Sequence, residues 1–288
     1  MKKKIIIIKN TILIILLYLI ITNKNSIINA VIISINIFIY QLLPSIFPIM
    51  IISKSLADNL IIPSKIKNIF NKIFKFNGNS IILIIIAFIV GSPTCQILYK
   101  KAYEEHQISK LNYEKLIIST SLINPFFFWN IVNYLSNKTK IIILVLNYLI
   151  TIFLWFSIKN DSFTSQNSNL KSNFLNNINE SFKVLFNILS IIIFFNITLS
   201  LLHNYINNIA IKSIFVFFEI TNGYIYLSNL VINKSYNVIL TAFLTSFMGL
   251  CINYQIKSII QNNTLYKRFI KWIIIKGLIV ALISSMFT

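Results

Sequence analysis

The chain has 288 residues, of which 56% are hydrophobic and 11% are charged. Soluble domains carry about 25% charged residues, and disordered chains are poor in hydrophobic residues, so this composition excludes both classes. A net charge of +19 would suggest nucleic acid in a soluble protein, but most lysines lie between apolar runs, as in membrane proteins. We therefore predict the lipid bilayer as a partner and no nucleic acid.

Apolar runs of about 20 residues recur along the chain without alternating with polar residues. This pattern predicts an all-α, polytopic helical membrane protein rather than a transmembrane barrel. The two cysteines are too few for a disulfide framework, and no Cys-x-x-Cys pair is present for a metal. The expected location is a membrane, which the chain crosses several times.

The N-terminal region predicts two spans and an interfacial helix. Three lysines precede an apolar run over Ile5–Thr22. A signal peptide would need a small-x-small cleavage site, and none follows, so we predict that residues 1–22 form an uncleaved transmembrane anchor. The second span, Ile27–Ile52, contains two prolines that should kink it. Ser53–Asn79 carries five lysines and apolar residues at helical spacing, which predicts an interfacial helix on the cytoplasmic side.

The next apolar run, Ser80–Val90, is too short to cross a bilayer. It ends at Gly91, Ser92 and Pro93, and the chain then turns polar over Thr94–Glu105. A short apolar helix, a break and a polar return predict a re-entrant hairpin, whose broken backbone must lie against protein or a cavity. The free N–H groups after the break would suit an anion or a polar group. The alternative is a plain kink in which Ser92 caps the next helix.

The rest of the chain predicts further spans on both sides of a polar linker. The linker is residues 159–180, which are rich in serine and asparagine. The apolar segments around it are Ile108–Ser136, Ile141–Ile158, Phe182–Leu202, Tyr236–Asn262 and Leu265–Phe287. Two of these segments are interrupted, the first at Asn124-Pro125 and the fourth around Gly249.

The two sides of the linker look related. We predict a first membrane half over residues 27–158 and a second over 181–288, and Phe47–Ser53 aligns with Phe194–Ser200. Because the first spans of the two halves should run in opposite directions, we expect the halves to be inverted. Interrupted helices at matching positions of inverted halves point to a transporter-like site near the membrane midplane. We therefore expect the two glycine breaks to meet there.

Glu219 follows four apolar residues and is expected at membrane depth, where an acidic residue is costly and suggests a function. Its carboxylate could bind a cation, take up a proton or accept hydrogen bonds from a polar ligand. The alternative is a carboxylate at the interface that caps local structure with Thr221 and Asn222. The predicted solute site consists of Gly91, Ser92, Pro93, Thr94, Gln96, Asn124, Glu219, Thr221, Asn222, Gly223, Gly249 and Gln255.

Motifs of the common enzyme classes are absent from the sequence. There is no phosphate-binding loop, serine-hydrolase elbow, zinc-protease motif or dinucleotide fingerprint, and neither histidine has partners at metal spacing. We therefore predict a function other than catalysis, with no catalytic residue, no cofactor and no metal. An intramembrane hydrolase is the minor alternative.

Several motifs occur in the same order as in one known family. They are Leu43–Pro48 (LPSIFP), Gly91–Pro93 (GSP), Asn124–Phe126 (NPF), Glu219–Gly223 (EITNG) and Ser246–Gln255 (SFMGLCINYQ). In these motifs the chain resembles the sporulation integral membrane protein YlbJ family, from Tyr40 to its end. It departs from the family pattern where Asn124 directly precedes Pro125 and where Met248 replaces a glycine.

The resemblance implies a nucleoside-recognition, or Gate, domain and a role in spore cortex formation. On this basis we expect a protein that moves or senses a small polar solute or ion across the forespore or inner membrane. The alternative is a non-transporting membrane scaffold for a sporulation complex, and a homo-oligomer or sporulation membrane partners are left open. A transporter needs its broken helices to meet at a central polar cavity, whereas a scaffold does not.

Overall fold

The computed structural model describes residues 2–59, 69, 72, 81–158, 174–205, 215–229 and 233–287. Within these ranges the chain is helical and has no strand, which confirms the predicted all-α class. Most of the predicted interfacial helix and residues 159–173 of the predicted linker lie outside the described residues.

The helices are named here in chain order. They are α1 (Lys2–Thr22), α2 (Lys24–Ile37), α3 (Leu43–Asn59), α4 (Ile81–Val90), α5 (Thr94–Glu104), α6 (Lys110–Ser119), α7 (Pro125–Ile131), α8 (Asn137–Ser157), α9 (Phe174–Tyr205), α10 (Ile220–Asn229), α11 (Lys234–Phe247), α12 (Gly249–Ile260) and α13 (Asn263–Ser285). A π turn at Phe38–Leu42 joins α2 to α3, and a 3-10 turn at Phe215–Phe217 precedes α10.

The N-terminal helices follow one another without a loop. The N–H of Asn23 donates to the Leu19 carbonyl (3.1 Å) and the N–H of Ile27 donates to the Asn23 carbonyl (3.2 Å), so helical bonding continues from α1 into α2. The distortion expected from the prolines lies at the π turn, where the N–H of Leu43 donates to the Phe38 carbonyl, five residues earlier. Proline lacks an N–H, so Pro44 cannot complete a regular helical turn there.

Helix α9 runs antiparallel to α2 and α3. At one end the Ser200 hydroxyl donates to the Ser26 carbonyl (3.3 Å), and at the other Lys54 pairs with Glu180 (3.3 Å). Helix α9 begins at Phe174, so residues 174–180 of the predicted linker form the first turns of this helix.

Helices α11 and α13 pack closely against each other, and α13 also contacts α8. Gly277 permits this approach, because a Cβ atom there would lie 3.1 Å from the Phe243 ring on α11. The core between these helices includes Val238, Ala242 and Phe269, each fully buried.

Four segments of the described chain are long and apolar enough to cross a membrane. They are Lys24–Ser55, Asn137–Ser157, Phe174–Leu201 and Ser235–Ile260. Large apolar side chains are exposed on the outer faces of these helices, such as Phe153 and Phe156 on α8. Such faces suit contact with lipid, which supports a membrane protein.

Candidate functional site

The first helix break, at Gly91, packs against a second break in the same half, the non-helical segment 120–124. This contact is called the first crossing, and the contact between Gly249 and the start of α10 is called the second crossing. Gly91 has a φ of +73°, and the N–H of Ser92 donates to the Leu122 carbonyl (2.7 Å) in the non-helical segment 120–124. A Cβ atom on Gly91 would lie 2.5 Å from the Asn124 backbone nitrogen, so no side chain fits there. The short apolar helix α4 ends at this break, and α5 begins after it at Thr94.

Asn124 forms hydrogen bonds to both sides of this crossing, one through each polar atom of its amide. Its Oδ1 accepts from the N–H of Phe127 (2.9 Å), which caps α7, and its Nδ2 donates to the Val90 carbonyl (3.1 Å) at the end of α4. The N-cap and the proline at the first helical position explain why a new helix begins here. Because both ends of the amide are engaged, Asn124 is a clamp between the two breaks.

The second half contains a similar crossing. Gly249 also has a φ of +73°, and it follows Met248, which is left-handed as well. The N–H of Cys251 donates to the Phe218 carbonyl (2.9 Å), and a Cβ atom on Gly249 would lie 3.1 Å from the Ile220 nitrogen. This glycine therefore packs on the backbone where α10 begins.

Glu219 occupies the capping position of the second crossing. Its side chain is 2% exposed, and Oε2 accepts from the N–H of Asn222 (2.8 Å). Among the described residues, no lysine or arginine forms an ion pair with it. A buried carboxylate needs compensating donors, and here the first turn of α10 supplies one.

A tyrosine–threonine pair recurs in the two halves. The hydroxyls of Tyr99 and Thr120 lie 2.6 Å apart, and those of Tyr224 and Thr245 lie 2.9 Å apart, and the partners are 21 positions apart in the sequence in each case. In each pair the threonine also donates to the carbonyl four residues earlier. This repeated contact supports a structural relation between the halves.

The two glycine breaks were expected to meet, but neither glycine is among the nearest neighbours of the other. Each glycine packs on another break of its own half, and the two helices that follow the glycines, α5 and α12, pack against each other. Gln96 on α5 donates to the hydroxyls of Ser92 (2.8 Å) and Ser121 (2.9 Å), so it joins the two breaks of the first half.

A cavity of about 520 Å³ lies between α2, α9 and α10. Its polar lining consists of Ser26, Asn29, Asn196, Ser200, Asn222, Tyr226 and Asn229. The Asn222 amide donates to Asn196, whose own amide donates to the Ser34 hydroxyl (2.7 Å). Asn222 therefore belongs both to the cavity wall and, through its backbone N–H, to the Glu219 cap.

Of these lining residues, only Asn222 belongs to the solute site predicted from the sequence. The missed residues follow helical spacing: Asn222 and Asn229 are seven apart on α10, and Asn196 and Ser200 are four apart on α9. That spacing places each pair on one face. The signal was present, but the many asparagines of this chain conceal it.

The other predicted site residues contact protein. Thr94 approaches the Met50 sulfur (3.6 Å), and Gln255 approaches the Cys251 sulfur (3.6 Å). Gly223 allows α10 to approach the 3-10 turn, because a Cβ atom there would lie 2.4 Å from the Val216 carbonyl oxygen. Thr221 is buried at the start of α10, and Pro93 directly precedes α5.

Lys276, in the middle of α13, is a further buried residue that was not among the predicted site residues. Its side chain is 3% exposed, and its Nζ donates to the Ser121 carbonyl (3.0 Å) and to the Thr151 hydroxyl (3.0 Å). A lysine inside an apolar closing span was the signal that could have revealed it.

The chain was compared with protein-family models, curated proteins and solved structures. No family model matches it. No curated protein and no solved structure matches it either. The resemblance to the YlbJ family therefore stays a prediction based on the motifs.

Proposed function

We propose that the chain is a multi-pass bacterial membrane protein of Gate-domain character that binds a small, uncharged polar solute in the cavity between α2, α9 and α10. On this proposal it moves or senses the solute across the inner or forespore membrane during spore cortex formation. The sporulation role rests on the motif resemblance, and the solute role rests on the cavity and the crossings.

The observation that carries the solute proposal is the chemistry of the cavity wall. Four asparagines and two serines line it, and none of its lining residues is charged. An amide offers both donors and an acceptor, so this wall suits a ligand with both kinds of group. The volume lies within the range of about 300–1,000 Å³ that is usual for small-molecule sites.

The Glu219 cap links this cavity to the second crossing. A solute that bonds to the Asn222 amide acts on the residue whose N–H holds the Glu219 carboxylate. Gly249 packs on the backbone at the junction of Glu219 and Ile220. Binding of a solute in the cavity would thus affect the broken helices through Asn222. Transport or sensing needs such a coupling between the ligand site and the parts that move.

The test is complementation of a strain of the encoding bacterium that lacks the gene. Asn29→Leu and Asn229→Leu remove amides from the cavity wall at exposed positions, and Asn130→Leu makes the same change on the exposed face of α7. We expect loss of heat-resistant spores for the two cavity variants and normal counts for Asn130→Leu, with equal membrane levels of all three. Full complementation by both cavity variants would favour the scaffold and overturn the solute proposal.

A further inference from the structure

Contacts between side chains show which helix ends lie together. Glu180 on α9 pairs with Lys54 on α3 (3.3 Å) and with Lys101 on α5 (3.8 Å), so one end of each of these three helices lies at the same place. The rings of Tyr103 and Tyr113 stack with their centroids 4.9 Å apart, which brings the start of α6 there as well. This group of helix ends is called the first end.

Three further helices reach the first end. Arg268 near the start of α13 pairs with Glu114 on α6 (2.8 Å). Two residues separate the start of α13 from the end of α12, so α12 ends there too. Lys115 on α6 donates to the carbonyl of Ile158 (2.9 Å), which directly follows α8. Helix α8 therefore also ends at the first end.

The opposite ends of the spanning segments form the second end. Helix α8 begins there, and so does the segment Ser235–Ile260, which α11 and α12 share. Helix α10 ends there, because a short connection joins its last residue, Asn229, to the start of α11 at Lys234. Helix α2 begins there, because it runs antiparallel to α9 and its Ser26 carbonyl accepts from Ser200 (3.3 Å).

Basic residues are divided unequally between the two ends. On the described helices α2 to α13, Lys276 lies near the middle of its span, ten basic residues lie toward the first end and four lie toward the second. Those toward the first end are Lys54, Lys100, Lys101, Lys110, Lys115, Lys183, Lys257, Lys267, Arg268 and Lys271, and those toward the second are Lys24, Lys138, Lys140 and Lys234. Basic residues accumulate on the cytoplasmic side of membrane proteins, so this division favours a cytoplasmic first end.

The amide-lined cavity opens at the second end. Its lining includes two exposed residues, Asn29 near the start of α2 and Asn229 at the end of α10. Asn222 is half-buried and lies seven residues deeper on α10, which corresponds to about 10 Å, and Asn196 on α9 is 6% exposed. No described residue of the first end lines the cavity. Exposure therefore falls from a mouth at the second end to a floor near the second crossing.

We propose that the cavity receives its solute from the outer side of the membrane, the side away from the cytoplasm. The proposal rests on the proposed solute site and adds the side from which that site is filled. The mouth lies at the end with fewer basic residues, while the ion pairs of Glu180 join three helices at the opposite end. A solute from the outer side reaches Asn222, and through it the Glu219 cap, without crossing the bilayer. This arrangement suits uptake or sensing of an external solute.

The test is single-cysteine labelling with a membrane-impermeant maleimide in protoplasts that express the full chain. Asn229→Cys reports on the mouth, and exposed Lys138→Cys and Lys267→Cys report on the second and first ends outside the cavity. Wild type sets the background, because Cys95 and Cys251 are both buried. We expect Asn229→Cys and Lys138→Cys to react in intact protoplasts, and Lys267→Cys to react only after permeabilisation.

Two patterns of labelling would overturn the proposal. One is reaction of Lys267→Cys but not of Lys138→Cys in intact protoplasts, which would reverse the orientation of the chain. The other is an Asn229→Cys protein that stays at the wild-type background in intact protoplasts, and Asn29→Cys replaces it if that variant does not reach the membrane. Labelling needs no solute, so its failure would leave the proposed solute site standing, and failure of the complementation test would leave the side of the mouth unchanged.

Discussion

The two crossings of broken helices share a backbone plan and differ in the residue that caps it. In each, a glycine at φ +73° packs on the start of another helix, and an N–H one or two residues later donates to a carbonyl before that helix. The first crossing is capped by Asn124, a neutral amide that also donates to Val90. The second is capped by Glu219, and an ionised carboxylate can only accept. The first crossing is therefore closed by its own clamp, whereas the second is capped by a carboxyl group that is bonded to Asn222, a residue of the cavity wall.

The first crossing is also the more tightly packed. A methyl group on Gly91 would overlap fixed backbone at 2.5 Å, whereas one on Gly249 would come within 3.1 Å. A tight crossing with an amide cap suits a fixed support, and a looser crossing with a carboxyl cap suits a part that responds to a ligand. The following experiments test that division.

The largest expected effect on stability comes from the glycines. Both alanine variants place a Cβ atom at positive φ, which costs about 1–2 kcal/mol. Gly91→Ala adds overlap with backbone that cannot move, so we expect a total loss of about 2–5 kcal/mol in the free energy of unfolding, against about 1–2 kcal/mol for Gly249→Ala. Thermal unfolding of the two purified variants measures this. Equal losses would show that the crossings do not differ in tightness.

The largest expected effect on function without loss of the protein comes from Glu219→Gln. The change replaces the buried carboxyl group with an amide, and we expect it to abolish complementation of the proposed sporulation defect at normal membrane levels. Glu105→Gln, at an exposed position, is the matched control and should complement fully. Full complementation by Glu219→Gln would remove this residue from the site, and loss of the protein itself would assign it a structural role only.

Asn124→Asp gives the first crossing a carboxyl cap like that of the second. The carboxylate still accepts from Phe127, but it faces the Val90 carbonyl without a donor. We expect the free energy of unfolding to fall by about 1–3 kcal/mol, because a buried acceptor loses its partner. Asn130→Asp on the exposed face of the same helix should change it little. Similar stability of the two variants would mean that Asn124 does not clamp the crossing.

The smallest effects should come from the recurring tyrosines. Tyr99→Phe and Tyr224→Phe each remove one buried hydrogen bond, while the threonine partner keeps its bond to its own helix. We expect losses of about 0.5–1.5 kcal/mol, similar for the two halves. Thermal unfolding of the pair would show whether the two contacts are equivalent. A loss confined to one variant would argue against the structural relation between halves.

Composition and local patterns were sufficient for several features of this protein. The shortage of charge and the long apolar runs predict helices, because lipid offers no partner to an unsatisfied backbone. Gly91 and Asn124-Pro125 mark their breaks through conformational chemistry that acts within a few residues. The buried carboxylate of Glu219 was likewise predictable from its apolar neighbours on the chain.

Only the tertiary structure decided which break crosses which, where the cavity lies and what surrounds Lys276. These features depend on contacts between distant parts of the chain: Asn196 meets Ser34 across 162 residues, and Lys276 meets Ser121 across 155. Each asparagine of the cavity looks like many others in an asparagine-rich sequence, and the face that it shares with its partners exists only after the helices pack. Local sequence determines where a helix can begin and break, whereas the pairing of breaks and the burial of charge follow from packing between helices that the sequence pattern does not specify.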